Sequence, residues 1–275
     1  MRNNIIIVLM LLGLTFPGTS VVLANLNDGL VAYYQFNGNA NDESGNGNNG
    51  TVNGATLTTD RFGNTNRAYS FNGNSDYIEV SDFSFANKNE RSIALWVKPD
   101  VGTAVQDFIS KHSVEQDVEI LVRMESDGKY DVEWTIGGNF YDLSTGLAGA
   151  NDSIGLVEPS YDIFDFFVAI YDGKELKLYI NGNLIKSRSA SGNIVDNSYP
   201  LTIGAYAYNH SEEFKGVLDD IRIYNRALSA SEIEELYNYG STPTASTVTT
   251  KAATNVKSTS ATLDGTVNAN GGTTT

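Results

Sequence analysis

The sequence predicts an all-β fold: an antiparallel two-sheet sandwich of jelly-roll type with one short C-terminal helix. Three observations point there. Apolar residues recur at every second position from Asn25 to about Tyr224, dipeptides that tolerate positive φ separate the alternating runs, and only one stretch has helical spacing. Short strands with one buried face, joined by tight turns, pack as antiparallel layers, whereas parallel strands need long helical crossovers. With 275 residues, 41% hydrophobic and including 15 Tyr and 12 Phe, the chain has the material for a substantial core.

In chain order, residues 1–24 read as a signal peptide. Arg2 supplies the positive start, Ile5 to Leu14 the apolar run, and Val22-Leu-Ala24 the residues expected before a cleavage point. Pro17 and Gly18 stop the run short of the roughly 20 apolar residues that a membrane span requires, and no later stretch qualifies. The expected location is therefore secreted or at the cell surface. Leu30, Ala32, Tyr34 and Phe36 then begin the alternation, and Ile93, Leu95 and Val97 repeat it. Further strands are expected over Ala68 to Phe71, Tyr77 to Val80, Phe108 to Lys111, Glu119 to Met124, Tyr130 to Ile136, Phe166 to Tyr171, Leu176 to Ile180, Leu184 to Arg188, Leu201 to Ala205 and Gly216 to Tyr224. Asn37-Gly38, Asn53-Gly54, Asn72-Gly73, Asp127-Gly128, Asp172-Gly173 and Asn181-Gly182 mark turns between them.

The helix is predicted from about Ala230 to Tyr239. Ser229 caps it, Glu232 completes a capping box, Leu228 and Ile233 form a hydrophobic staple, and Gly240 suits a left-handed residue at its end. The expected organisation is thus a signal peptide (1–24), a jelly-roll domain (25–240), a linker (241–247) and a tail (248–275). The tail carries a weak strand pattern over Ala261 to Val267. It is too short to bury a core of its own, so it is either a floppy end or part of a second β domain.

Composition excludes several function classes. Lys and Arg number 18 against 33 Asp and Glu, a formal charge of −15, which speaks against nucleic acid or anionic lipid and favours a cation as partner. The absence of cysteine removes disulfides, thiolate metal sites and cysteine nucleophiles. His112 and His210 lie in polar segments with no nucleophile elbow nearby, and the glycines from Gly45 to Gly54 lie between strands rather than ahead of a helix, so no phosphate loop is expected.

Six blocks resemble a known family. They are Gly29 to Gly38 with Asn41-Asp-Glu-Ser-Gly-Asn-Gly-Asn-Asn-Gly50, Tyr69 to Gly73, Asp76 to Val80, Ser92-Ile-Ala-Leu-Trp-Val-Lys-Pro99, Val168 to Gly182, and Gly216-Val-Leu-Asp-Asp-Ile-Arg-Ile-Tyr-Asn-Arg-Ala-Leu-Ser229. Over about Leu26 to Tyr239 the chain is similar to a laminin G-like domain of the bacterial concanavalin A-like lectin/glucanase superfamily. Phe166-Phe167 stands where that family usually has Trp-His, a departure that concerns packing. The tail, from Ala253 to Gly271, resembles the start of a bacterial fibronectin type III-like repeat.

Two chemistries are candidates. Asp219 shares strand parity with Val217, Ile221 and Ile223, which predicts an inward carboxylate in need of a nearby cation, whereas Asp220 beside Arg222 reads as a solvated charge. Asp42, Ser44 and Asn46 place oxygens at alternate positions among glycines, a pattern suited to a hard cation or to plain Asx turns. The resemblance implies calcium at the sandwich rim, held by Asp219 and Asp42 with Ser44, Asn46 and a backbone oxygen near Gly73. The second candidate is hydrolysis. Glu115-Gln-Asp117-Val-Glu119 has the alternating form that retaining glucanases of the superfamily use, but Gln116 stands where they have an aliphatic residue, and only two tryptophans, Trp96 and Trp134, are present as sugar platforms. Tyr206, Tyr208, Trp134 and Tyr141 are candidate ring platforms for a ligand, or half-buried packing.

The resulting expectation is a non-catalytic, calcium-stabilised binding or adhesion module that recognises a glycan or an extracellular protein as part of a larger surface protein. The rivals are a glycoside hydrolase using Glu115 and Glu119 and a purely structural spacer.

Overall fold

A computed structural model describes residues 25–85, 87–102, 104–113, 117–145 and 159–240, and the backbone of two tail strands, 247–250 and 265–268. Residues 1–24, expected to be a signal peptide, residues 241–246 of the expected linker and Glu115 lie outside the described residues. With strands labelled in chain order, one sheet runs β13 (Asn183–Ser189), β12 (Glu175–Ile180), β11 (Asp165–Tyr171), β6 (Arg91–Pro99), β15 (Lys215–Tyr224), β4 (Ala68–Asn72), β3 (Thr56–Thr58), and β1 (Leu30–Tyr34) also pairs with β15. The other runs β10 (Asn139–Asp142), β9 (Tyr130–Ile136), β8 (Ile120–Met124), β7 (Gln106–Lys111), β14 (Leu201–Ile203), β5 (Tyr77–Val80), β2 (Gly50–Asn53). Every pairing is antiparallel, as the turn spacing demands. In the tail, β16 (Thr247–Thr250) pairs with β17 (Gly265–Asn268).

Alternate residues of the two sheets meet in one core. Leu95, Val97, Phe167, Ala169 and Leu178 come from the first sheet, and Ile78, Phe108, Val122, Val132, Trp134 and Ile203 from the second. The outer face of the first sheet is apolar too: Ala94, Phe166, Val168, Ile170 and Tyr224 pack under Leu228, Ile233 and Leu236 of the helical segment. β11 is therefore buried on both faces, which accounts for its unbroken apolar run and for phenylalanine at both 166 and 167.

The helix α1 spans Ala230–Tyr237, with the capping box between Ser229 and Glu232 in place. It ends two residues earlier than expected. The Asn238 backbone amide closes the last turn on the Glu234 carbonyl at 3.1 Å and its side-chain amide adds a second hydrogen bond to the same oxygen at 2.8 Å, so Gly240, at φ +77°, turns the chain only after the helix has closed. The sequence reading missed β2, β3 and β10. All three are short and lie at or beside sheet margins, where little apolar alternation is needed. Gly204, at φ +88°, follows β14 directly. A Cβ there would stand 2.5 Å from the Phe71 ring, so glycine lets the chain pass Phe71 and swing outward over the second sheet.

Candidate functional site

The predicted rim site comes first. β15 carries a bulge: Asp219 stands opposite Trp96 and Arg222 opposite Ala94, so β15 has one residue more than β6 between them, and Asp220 adopts φ +47°. Leu218, Ile221 and Ile223 all enter the core, which turns Asp219 to the outer face beside Trp96. The inward placement expected from strict alternation is thereby corrected. Arg61 supplies the cation that the buried carboxylate requires, with Nη1 at 2.7 Å from Asp219 and Nη2 at 2.5 Å from Asp220. Asp220 also accepts a hydrogen bond from the Tyr33 hydroxyl at 2.8 Å and is 8% exposed, so it is not a solvated charge. Burial, then the charge of Asp220, raises Asp219 to about 7 against the pull of Arg61.

The Asp42 loop is satisfied within itself. Asp42 Oδ1 accepts the amides of Tyr33 and Ser44, and Oδ2 accepts that of Asn48. Ser44 Oγ donates to the Val31 carbonyl, and Asn46 Nδ2 donates to the carbonyls of Leu30 and Val31. This is the Asx-turn alternative. Gly73 sits at φ +72° in the turn after β4, against the Lys215 side chain. The cavity of about 160 Å³ beside Asp219 is lined by Arg61, Arg67 and Tyr239 among others, and the Asp42 loop takes no part in it. These residues do not fit a calcium ion shared between the loop and β15.

Of the expected hydrolytic pair, Glu119 is 1% exposed, with Lys111 Nζ at 2.8 Å, Arg91 Nη1 at 3.7 Å and the Asn197 amide donating to it. It is an internal ion-pair partner. Trp134 is 0% exposed and points into the core with Tyr130, Val132 and Ile136, so it cannot serve as a ligand platform. Tyr141 is half-buried against the core beneath Arg188. Tyr208 stands 63% exposed with its ring 6.3 Å from that of Tyr206, whose hydroxyl donates to the Ser113 carbonyl.

The parity that takes Trp134 inward sends Asp131 and Glu133 outward, onto a cavity of about 660 Å³ on the outer face of the second sheet. Tyr206, Phe140, His112 and Arg123 line it together with the acids Glu125, Asp127, Asp131, Glu133, Asp142 and Glu212. Arg123 is drawn to Asp107 (Nε, 2.9 Å) and Glu212 (Nη2, 2.5 Å) and reaches Glu133 only at 3.4 Å. Asp131 is 1% exposed and its Oδ1 has no hydrogen-bond partner. Burial first, then Asp142 and Glu133, pushes its carboxyl far above the usual carboxylate range, and burial raises Glu133 against the pull of Arg123. His112 is lowered to about 4 by burial and then by Arg123, so it stands neutral at pH 7. Carboxylate oxygens of Glu125, Asp131 and Glu133 lie within 4.8 Å of one another. Chemically, the cavity is rich in acceptors, with two aromatic rings and one guanidinium. None of these charged residues had been singled out as a site residue; the signal for two of them was the charged alternation within the strand Tyr130–Ile136.

A second cavity, of about 520 Å³, lies on the first sheet among Arg61, Phe62, Trp96, Phe164 and Tyr237. There the rings close on one another: Trp96 stacks on Tyr237 at 5.6 Å, and the Arg61 guanidinium covers Trp96 at 4.8 Å.

A family model described as the concanavalin A-like lectin/glucanases superfamily matches residues 72–234. Paraclostridial mosquitocidal protein 1 of Paraclostridium bifermentans is 27% identical over 210 residues, which are 72% of this chain but only 16% of that protein. The crystal structure of that protein's binding domain has a TM-score of 0.62 at 24% identity, covering 78% of this chain and 53% of that one. Domain 4 of a GH43 extracellular arabinanase from Geobacillus stearothermophilus, in complex with arabinotriose, has a TM-score of 0.57 at 23% identity, covering 76% and 98%. These structures share the fold. The family match extends over more than half of the sequence, and the two antiparallel sheets agree with it: the chain belongs to the concanavalin A-like lectin/glucanases superfamily.

Proposed function

We propose that the chain is a secreted, non-catalytic binding module that takes a neutral carbohydrate into the cavity on the second sheet. The observation that carries this reading is the pairing of two half-buried rings, Phe140 and Tyr206, with a floor of carboxylates in one cavity of about 660 Å³, a volume typical of ligand sites. Ring faces stack on the apolar side of a sugar, and carboxylates accept hydrogen bonds from its hydroxyls. Six acids against one guanidinium repel sialic and uronic acids, so a neutral oligosaccharide fits best. The naming of one structural relative as a binding domain, and the arabinotriose in another, support recognition rather than turnover. Export follows from the pattern of residues 1–24.

A glycan array followed by titration tests the reading. Neutral glycans should bind, and Phe140→Ala and Tyr206→Ala should each weaken binding about tenfold while leaving the melt cooperative, since a lost stacking contact is worth roughly 1–2 kcal/mol. Binding that ignores both substitutions would move the ligand elsewhere. Release of reducing sugar that Glu133→Gln abolishes would make the protein a hydrolase instead.

A further inference from the structure

We propose that Glu125, Asp131 and Glu133 hold a divalent cation of the calcium class on the outer face of the second sheet. The spacing fits. Calcium–oxygen bonds of about 2.3–2.6 Å keep any two ligand oxygens of one ion within about 4.6–5.2 Å, and the three carboxylate oxygens lie within 4.8 Å of one another. Asp131 supplies an independent observation. It is 1% exposed and opens onto the cavity, yet its Oδ1 has no hydrogen-bond partner.

Several other buried carboxylates in this fold meet a cation or a set of donors through at least one oxygen. Asp219 has Arg61, Glu119 has Lys111, and Asp165 accepts from the Tyr130 hydroxyl, the Ser160 amide and the Asn181 side chain. Around Asp131 stand acids, and the guanidinium of Arg123, bonded to Asp107 and Glu212, also lies 3.4 Å from Glu133 and 3.6 Å from Glu125, so it shares its charge among four carboxylates. A buried carboxylate among carboxylates either takes up a proton or is joined by a positive charge, and an all-oxygen donor set selects a hard cation over zinc or copper. The frame is already built: Asp131 and Glu133 alternate on β9, and Glu125 directly follows β8, whose Met124 pairs with Tyr130. Calcium tolerates such a mixed, partly open shell better than magnesium, which demands near-octahedral geometry, and water or ligand hydroxyls can complete it.

The experiment is a calorimetric titration of the purified, chelator-treated and desalted full chain with calcium chloride, in the absence of any carbohydrate. Terbium luminescence excited through tyrosine gives a second readout, since Tyr206 lines the same cavity. One site is expected. Asp131→Asn should weaken it at least tenfold, and Glu125→Gln, at a half-exposed position that leaves the metal-free melt unchanged, should weaken it as well. Asp42→Asn and Asp219→Asn should bind calcium like the parent. No binding up to about 10 mM calcium, beyond even the weak extracellular range, would overturn the proposal. So would binding that survives both Asp131→Asn and Glu125→Gln, or that only Asp42→Asn or Asp219→Asn removes. The cation site is independent of the ligand's being a carbohydrate, so either reading can fail while the other stands.

Discussion

Replacing Arg61 with methionine isolates the contribution of the guanidinium that two buried acids share. Its side chain is 6% exposed and stands 2.7 Å from Asp219 and 2.5 Å from Asp220, whose side chains are 3% and 9% exposed. Removing one partner of a buried ion pair costs about 3–5 kcal/mol, because the charge left behind has no solvent to turn to. Two features pull the expected loss to the lower end. Asp220 keeps the Tyr33 hydroxyl, and Asp219, already raised to about 7, can take up a proton near neutral pH. About 3 kcal/mol at pH 7 is therefore expected, a fall in Tm of about 6–12 °C for a domain of this size. Urea unfolding and a thermal melt read it directly. Arg61→Met/Asp219→Asn should recover part of the loss, since the neutral amide no longer lacks a counter-charge. A loss under about 1 kcal/mol would refute the assignment. A melt of the single variant that calcium restores would mean that a metal can take the guanidinium's place, contrary to the fit described for the rim.

Two further outcomes follow from burial. Trp134→Ala should destabilise by about 3–5 kcal/mol, as the loss of a large core ring does, while any glycan affinity of the still-folded fraction stays unchanged; denaturant titration beside a binding assay checks both. His112 is about 4 in the folded chain against an ordinary 6.5, so between those values the unfolded chain binds a proton that the folded one does not. Its contribution is fully present above pH 6.5 and disappears as pH falls toward 4, up to about 3 kcal/mol in all. His112→Leu should flatten the stability–pH curve across that window, and an unchanged slope would dismiss the effect.

Much of the sandwich was legible because burial imposes a period. β6, β11 and β12 alternate or run apolar as their two faces require, and Ser229 with Glu232 announced the start of α1 from four residues. Edge strands such as β10 escaped notice because half-exposed Asn139 to Asp142 carry no apolar rhythm. The site was harder for two reasons. Trp134 drew attention as a rare aromatic, although its parity with Val132 and Ile136 already placed it inside and Asp131 and Glu133 outside. Glu212 reaches Arg123 across 89 positions of sequence, through a loop whose course depends on Gly204, and no local pattern encodes that approach. In β15 strict alternation misled. Asp belongs to the few residues that accept a left-handed backbone, and the Asp219-Asp220 pair was the faint mark of a bulge.

That extra residue makes β15 a strand with two phases, one before Asp219 and one after Asp220. Deleting a single residue there would not merely shorten a loop. It would bring the two halves into step and force either a carboxylate under the sheet or Ile221 and Ile223 out of it. Arg61, more than 150 positions away in the chain, answers only to the out-of-step version. A relative with one residue fewer at this point must also have lost its carboxylate or its arginine, so a one-residue gap in an alignment of this strand marks a change of chemistry on the sheet surface.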